Sequence, residues 1–266
     1  MSCPRIQFSV ILLIALLSIT ATATSAESAD QLHVAVASNF APAMKEIVAQ
    51  FTLQSEQPVV VIAGSTGKHY AQINNGAPYD IFFAADSARP AKLAAAGFGA
   101  ENSLYTYALG RLVLWSKSEN LIDPAGTVPA TKKFRHIAIA NPKLAPYGQA
   151  AREVLQQLGR WDTLGNKLVR GENIAQTFQF VYSGNAELGF VASSQLLNSA
   201  GSASGSSWNV PDHMHAPIQQ QAILLVDSED ARRFMDFIKS TQVREIILAY
   251  GYDLPDDEQL RKTPQP

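Results

Sequence analysis

The chain has 266 residues, of which 47% are hydrophobic and 17% are charged, and its formal net charge is -2. This is the composition of an ordinary globular protein, with enough apolar residues for one large core or two small ones. The 21 lysines and arginines are scattered along the chain, so no basic patch indicates nucleic-acid binding.

The N-terminus has the layout of a secretory signal peptide. Arg5 gives a short positive region, residues 8–19 are almost wholly apolar, and residues 20–26 are small and polar. The apolar run is too short to span a bilayer comfortably. We therefore predict a signal peptide at residues 1–26, cleaved near Ala26, and a mature protein outside the cytoplasmic membrane.

The cysteine content bears on anchoring and on stability. Cys3 is the only cysteine, and it precedes the apolar run, whereas a lipoprotein cysteine would follow that run. We therefore predict no lipid anchor. The mature chain then has no cysteine and forms no disulfide, so its stability must come from core packing.

Strand-like and helix-like segments alternate from residue 32 onward. Apolar spacing predicts strands at 32–38, 58–63 and 80–85, with helices at 42–54 and 68–74 between them. This βαβαβ order predicts an α/β fold with a mostly parallel sheet and helices on both of its faces.

The middle and the end of the chain show the same alternation of strand-like and helix-like segments. A long apolar strand is predicted at 105–116, followed by further strands and helices and by two amphipathic helices at 230–239 and 242–250. If the first and last segments form one lobe and the middle segments form another, a cleft lies between the two lobes. The predicted division is lobe 1 at 30–108 plus 218–256, lobe 2 at 109–217, and a loose tail at 257–266.

Small polar residues or glycines follow strands and precede helices at four turns: 38–39, 64–67, 146–148 and 172–174. Ligands of open α/β sheets bind beyond the carboxyl ends of the strands. Free backbone N–H groups and the helix dipole attract an anion at such helix starts, without any basic side chain. Lys68 is the only cation nearby. Any one turn, taken alone, is more simply explained as a helix N-cap, but together the four turns indicate a site for an anion or a small polar ligand.

These segments closely resemble the periplasmic molybdate-binding proteins of ABC transporters, over about residues 32–254. The stretches that carry the resemblance include VAVASNFAPAMKEI from Val34, GSTGKHYAQINNGAPYDIFFAAD from Gly64, NPKLAPYGQAAREVLQQLG from Asn141 and AELGFVASSQL from Ala186. The resemblance implies a two-lobed periplasmic binding protein of type II, in which each lobe is a mostly parallel sheet flanked by helices. It also implies a monomer that binds molybdate or tungstate between the lobes, without a cofactor.

The resemblance also implies which residues bind the oxyanion, through hydroxyls and backbone N–H groups. Carried over residue by residue, the contacts fall on Ser38, Asn39, Ser65, Thr66, Tyr147 and Ile174. The contact of Ile174 is through its backbone N–H. Some members of the family place a ligand-binding tyrosine where this chain has Ala192, so that donor is missing here. The implied partner is a membrane permease with a cytoplasmic ATPase.

Other functions have less support in the residues. His213 and His215 would share a face of a strand, but no cysteine or carboxylate cluster completes a metal site around them. Ferric binding would favour adjacent tyrosines, and the nearest pair is His69-Tyr70. No G-x-S-x-G, H-E-x-x-H or P-loop motif is present, so we expect no enzyme. The alternatives are a binding protein for another anion or for ferric iron, and a secreted hydrolase.

Overall fold

The structure is a computed structural model that describes residues 31–126, 134–197 and 204–255. The predicted signal peptide at 1–26 and the predicted tail at 257–266 lie outside the described residues. No helix within the three described ranges is long and apolar enough to cross a membrane.

Lobe 1 is built on a five-stranded sheet. Its strands are β1 (Leu32–Ala37), β2 (Val59–Gly64), β3 (Ile81–Ala84), β4 (Tyr105–Gly110) and β10 (Ile218–Leu224). Their order across the sheet is β2-β1-β3-β10-β4. β1 pairs in parallel with β2 and β3, whereas β10 is antiparallel to β3 and β4.

Lobe 2 is built on a second five-stranded sheet. Its strands are β5 (Leu112–Ser116), β6 (Ile137–Ala140), β7 (Leu168–Gly171), β8 (Leu188–Ala192) and β9 (Ser206–Asn209). Their order is β7-β6-β8-β5-β9. β6 is parallel to β7 and β8, whereas β5 is antiparallel to β8 and β9.

Both sheets are therefore mixed, with two parallel and two antiparallel pairings each, where sequence patterning predicts mostly parallel ones. The reason lies in the strands that arrive from the other lobe. β10 begins at the cleft, where Ile218 lies opposite Gly110, and β5 begins there too, where Leu112 lies opposite Ala192. A strand that enters a sheet at the carboxyl ends of its neighbours runs against them.

Helices cover both sheets. Lobe 1 carries α1 (Ala41–Ser55), α2 (Thr66–Asn74), α3 (Ala88–Ala95), α8 (Glu229–Ile238) and α9 (Thr241–Ala249). Lobe 2 carries α4 (Pro146–Gln157), α5 (Trp161–Leu164), α6 (Ile174–Tyr182) and α7 (Ser193–Leu197). Alternate residues of a strand enter opposite cores, because side chains point to opposite faces of a sheet. Thus Phe83 joins the core beneath α1 and α8, and Phe82 joins the core beneath α2 and α3.

Two crossings join the lobes in the described residues. The first is short, because β4 ends at Gly110 and β5 begins at Leu112, so the single strand predicted at 105–116 is broken at Arg111. The Arg111 guanidinium is held there by Asp253, with 2.6 Å between Nη2 and Oδ1. The second crossing leads from β9 to β10.

The histidines of the second crossing do not have the geometry that the sequence suggests. His213 lies in a 3-10 turn at Asp212–Met214, so the two histidines do not share the face of a strand. Nowhere in the described part of the chain do three or more His, Cys, Asp or Glu side chains form a group that could hold a metal ion.

Candidate functional site

A small cavity lies between the lobes, at the carboxyl ends of β1, β2 and β6, with an empty volume of about 190 Å³. Its lining contains every residue that the sequence proposes for the site: Ser38, Asn39, Ser65, Thr66, Tyr147 and Ile174. The first four come from lobe 1 and the last two from lobe 2. The fold therefore brings together residues that lie far apart in the chain.

Three helices begin at this cavity: α2 at Thr66, α4 at Pro146 and α6 at Ile174. The first N–H groups of a helix have no acceptor within that helix. Within the described residues, no protein group accepts from the backbone N–H groups of Asn39, Ser65, Thr66, Tyr147 and Ile174. Residues with free N–H groups thus surround one small volume from both lobes, at the positive ends of three helix dipoles.

Ser65 distinguishes a ligand site from an ordinary helix cap. It occupies the N-cap position of α2, yet its side chain makes no capping hydrogen bond. Its hydroxyl oxygen is buried and has no hydrogen-bond partner in the described part of the protein. A buried polar group without a partner costs about 1–3 kcal/mol, so this hydroxyl is suited to a partner that the protein itself does not supply.

The neighbouring hydroxyls differ in what they already bind. The Thr66 hydroxyl accepts from the backbone N–H of Ala85 at 3.0 Å and keeps its own hydrogen for donation. The Ser38 hydroxyl makes no hydrogen bond to any described residue, and Ser38 is fixed by its backbone N–H, which donates to the Gly64 carbonyl at 2.9 Å. Both hydroxyls can therefore donate into the cavity.

The side chains of Asn39 and Tyr147 turn away from the cavity into a buried network. The Asn39 amide donates from Nδ2 to Gln220 Oε1 at 2.8 Å and to the Tyr252 hydroxyl at 3.1 Å. The Tyr147 hydroxyl accepts from Gln220 Nε2 at 3.3 Å. Each residue thus offers the cavity its backbone N–H. Both hydrogens of the Asn39 amide are used within the protein, so this side chain has none left to donate to a ligand.

Sequence reasoning misses Gln220 and Tyr252. The signal that could have revealed Gln220 is the run Gln219-Gln220-Gln221 within an otherwise apolar strand. Gln220 and Gln221 are both buried, and buried polar side chains call for partners.

Ala192, where some resembling proteins have a tyrosine, is buried at the end of β8. Gln195 lies beside it: its side-chain oxygen accepts from the Ala192 N–H at 3.0 Å, and its nitrogen donates to the Ile174 carbonyl at 3.1 Å. The carbonyl of Ile174 is therefore held by a glutamine side chain. Asn173 caps the same helix start, since its Oδ1 accepts from the Gln176 N–H at 3.0 Å.

The electrostatics of the cavity come from dipoles and not from ions. Among the described residues that line it, none is charged. Burial raises the pKa of the Tyr147 phenol well above its ordinary value, so that group stays neutral. His69 lies behind the turn, and its burial lowers its pKa, which keeps the imidazole neutral at pH 7. Such a site donates hydrogen bonds and offers no carboxylate acceptor.

A larger groove lies beside this cavity, with an empty volume of about 610 Å³. It is lined by the carboxylates of Asp86 and Glu153, and Asp86 forms an ion pair with Arg89. Carboxylates repel an anion, and Arg89, which also lines the groove, is already paired with Asp86. Its size therefore does not make it the better anion site.

The lobes touch around the cavity. The Gly67 N–H donates to the Leu144 carbonyl at 2.7 Å, and Arg89 Nη2 donates to the Lys143 carbonyl at 2.9 Å. Lys68 and Glu172 form an ion pair across the cleft at 3.3 Å. The structure is thus a closed form, in which a ligand in the cavity would be enclosed by both lobes.

A family model described as bacterial extracellular solute-binding protein matches residues 32–253. The chain belongs to this family of solute-binding proteins.

Two curated relatives of this solute-binding protein carry the same name, molybdate-binding protein ModA. The protein from Azotobacter vinelandii is 44% identical over 251 residues, which is 93% of this chain and 99% of the relative. The protein from Rhodobacter capsulatus is 45% identical over 228 residues, which is 85% of this chain and 89% of the relative. The resemblance seen in the sequence motifs is thereby confirmed.

The solved structures confirm the two-lobed type II fold of this solute-binding protein. The periplasmic molybdate-binding protein of Azotobacter vinelandii superimposes with a TM-score of 0.81 at 42% sequence identity, covering 85% of this chain and 100% of that chain. The sulfate-binding protein SubI of Mycobacterium tuberculosis has a TM-score of 0.67 at 12% identity, covering 87% of this chain and 89% of that chain, and shares the fold alone. Fold by itself therefore does not choose the anion.

Proposed function

We propose that this protein captures molybdate or tungstate in the periplasm and delivers it to an ABC transporter. The observation that carries the proposal is the buried, unpartnered Ser65 hydroxyl among free N–H groups at three helix starts. The relatives that are 44% and 45% identical are both named as molybdate-binding proteins, which supports molybdate as the anion.

The proposed contacts are neutral donors from both lobes. Lobe 1 supplies the hydroxyls of Ser38, Ser65 and Thr66 and the N–H of Asn39, and lobe 2 supplies the N–H groups of Tyr147 and Ile174. A fully ionised tetrahedral dianion accepts at all four oxygens, so it can satisfy these donors without supplying any. The helix dipoles offset part of its charge. Because the donors lie on both lobes, the ligand itself favours the closed form.

The proposed route of the ligand follows from the family. The signal peptide at 1–26 would direct the chain across the cytoplasmic membrane and then be removed. The mature protein would act as a monomer, without a cofactor and without catalysis, and would release the anion to a permease driven by a cytoplasmic ATPase. A hydrolase function has no support in the cavity, which contains no carboxylate, histidine or cysteine among its described lining residues. Ferric iron has little support either, because the Tyr147 hydroxyl lies toward Gln220.

Calorimetric titration of the mature protein with molybdate, tungstate, sulfate, phosphate and ferric citrate tests the proposal. We expect one-to-one binding of molybdate or tungstate and no colour from tyrosinate ligation on adding ferric citrate. A protein that gives neither heat nor a thermal shift with molybdate and tungstate would refute the assignment. N-terminal sequencing of the secreted protein tests the route, with a start near Glu27 expected.

A further inference from the structure

Gln220 lies at the junction of the two lobes, behind the candidate site. It is fully buried in β10, close to the point where the chain returns from lobe 2. The pairing of β10 with β4 shifts register between Gln220 and Gln221, so the strand is irregular there. Its amide makes hydrogen bonds to Asn39 of lobe 1 and to Tyr147 of lobe 2, two residues that line the cavity.

The hydrogen-bond directions in this network are fixed by the tyrosine hydroxyls. The Tyr252 hydroxyl donates its single hydrogen to the Asn39 carbonyl at 2.8 Å, so it can only accept from the Asn39 side chain. This places Nδ2 of Asn39 toward Tyr252, and its second hydrogen toward Oε1 of Gln220. The nitrogen of Gln220 is then the end that donates to the Tyr147 hydroxyl.

Gly110 makes room for this contact at the first crossing. A Cβ at Gly110 would lie 2.2 Å from the Tyr147 hydroxyl oxygen and 2.8 Å from Gln220 Nε2. Both crossings between the lobes therefore meet at the same hydrogen bond. A buried network whose members are all partnered rigidifies its surroundings.

We propose that Gln220 is a positioning residue that fixes the spacing between the lobe 1 and lobe 2 donors, and so sets selectivity among tetrahedral oxyanions by size. The inference rests on the proposed function. Sulfate, molybdate and tungstate share shape and charge, so a cavity of neutral donors distinguishes sulfate from the larger two by the distance between its donors. A fixed distance between the donors of the two lobes weakens sulfate binding, because donors that cannot move closer to the smaller anion lose their hydrogen bonds to it. Without the hydrogen bonds of Gln220, the donors can move to fit either anion, and the difference in affinity between sulfate and molybdate becomes smaller.

The test is the ratio of the sulfate Kd to the molybdate Kd in Gln220→Met, which keeps the side-chain volume and removes the amide. We expect this ratio to fall about tenfold, the value of one hydrogen bond. Tyr147→Phe removes only the lobe 2 end of the link and should lower the ratio similarly. The double variant should lower it no further, because both substitutions break one connection. If Gln220→Met does not fold, the ratio of the two Kd values in Tyr147→Phe alone tests the inference.

Gln221→Met is the matched control. Gln221 is the next buried glutamine of β10, and its Oε1 has no hydrogen-bond partner among the described residues. If the substitutions only loosen the strand, both Gln220→Met and Gln221→Met should weaken sulfate and molybdate binding by the same factor. The ratio of the two Kd values would then stay at its wild-type value, and this result would overturn the inference. Wild-type protein that binds no molybdate would instead refute the proposed function.

Discussion

Gly67 and Leu144 meet across the cleft, where the backbone N–H of Gly67 donates to the Leu144 carbonyl at 2.7 Å. Gly67 is the second residue of α2, whose start faces the cavity. A Cβ at position 67 would lie 2.9 Å from the Leu144 Cα and 3.0 Å from its carbonyl oxygen. The missing side chain therefore lets the lobes close next to the site.

Gly67→Ala should separate closure from folding. Alanine stabilises a helix relative to glycine by about 0.5–1 kcal/mol, so the thermal midpoint of the ligand-free protein should hold or rise. The added Cβ strains only the closed form, at a cost of about 1–3 kcal/mol, so molybdate affinity should fall about tenfold or more. Calorimetry and thermal unfolding with and without molybdate measure both effects.

Lys68→Ala is the control for Gly67→Ala. It removes the exposed ion pair with Glu172 from the same turn of α2, and exposed pairs contribute about 0–1 kcal/mol. Its molybdate affinity should stay within about fivefold of wild type. Gly67→Ala with wild-type affinity would mean that closure does not depend on this contact.

Ser65→Ala should weaken the ligand without weakening the fold. A hydrogen bond to a charged group contributes about 1.5–3 kcal/mol, so molybdate affinity should fall roughly tenfold to a hundredfold. The stability of the ligand-free protein should not fall, because the hydroxyl has no partner there to lose.

Ser183→Ala serves as the matched serine for Ser65→Ala, since its hydroxyl is exposed at the end of α6 and donates to the Gln179 carbonyl at 2.7 Å. It should leave molybdate binding unchanged. Equal affinities of Ser65→Ala and wild type would exclude the Ser65 hydroxyl from the site.

Asn39→Ala should also weaken molybdate binding, through the loss of its contacts to Gln220 and Tyr252.

Competition among anions should follow size and protonation. Sulfate is too small to reach donors on both lobes, and two unmade bonds at about 1–3 kcal/mol each give roughly a hundredfold or more against it. Singly protonated phosphate needs an acceptor, and the described lining offers no carboxylate. Displacement titrations at about pH 8 measure these ratios. Sulfate within a few-fold of molybdate would contradict the size argument.

Alkaline pH should destabilise the fold through three buried tyrosines. Burial raises the pKa of Tyr107, Tyr147 and Tyr252 above the ordinary value. Since the folded-state pKa exceeds the unfolded one, their stabilisation is complete below about pH 10 and is lost as pH rises above it. Urea unfolding at about pH 8 and about pH 10.5 should show a decline in the free energy of unfolding.

Tyr107→Phe tests the source of this alkaline effect. It removes one of the three buried phenols and should reduce the decline, whereas Tyr182→Phe, at a side chain that is 49% exposed, should keep the wild-type decline. A decline that is the same in both variants would place its origin elsewhere.

The sequence indicates which turns form the candidate site, but it does not indicate which chemical groups of those turns face a ligand. The turns that contain Ser38 and Ser65 are identifiable because small polar residues at strand ends, before helices, follow a general rule of α/β sheets. Tyr147 is identifiable only through the resemblance to the molybdate-binding proteins. The direction of the Asn39 side chain is not identifiable, because it depends on Gln220 and Tyr252, which are remote in sequence. The antiparallel placement of β10 is equally hidden, since a strand of seven residues carries no mark of its direction.

The position of β10 has a consequence for how the chain is made. It lies between β3 and β4, so these two strands have no shared partner until residues 218–224 are available. During synthesis, the facing edges of β3 and β4 stay open while the whole of the second lobe is produced, and open strand edges invite wrong pairing. The first lobe therefore cannot finish folding before the last fifth of the chain appears, which favours keeping the polypeptide unfolded until it is complete.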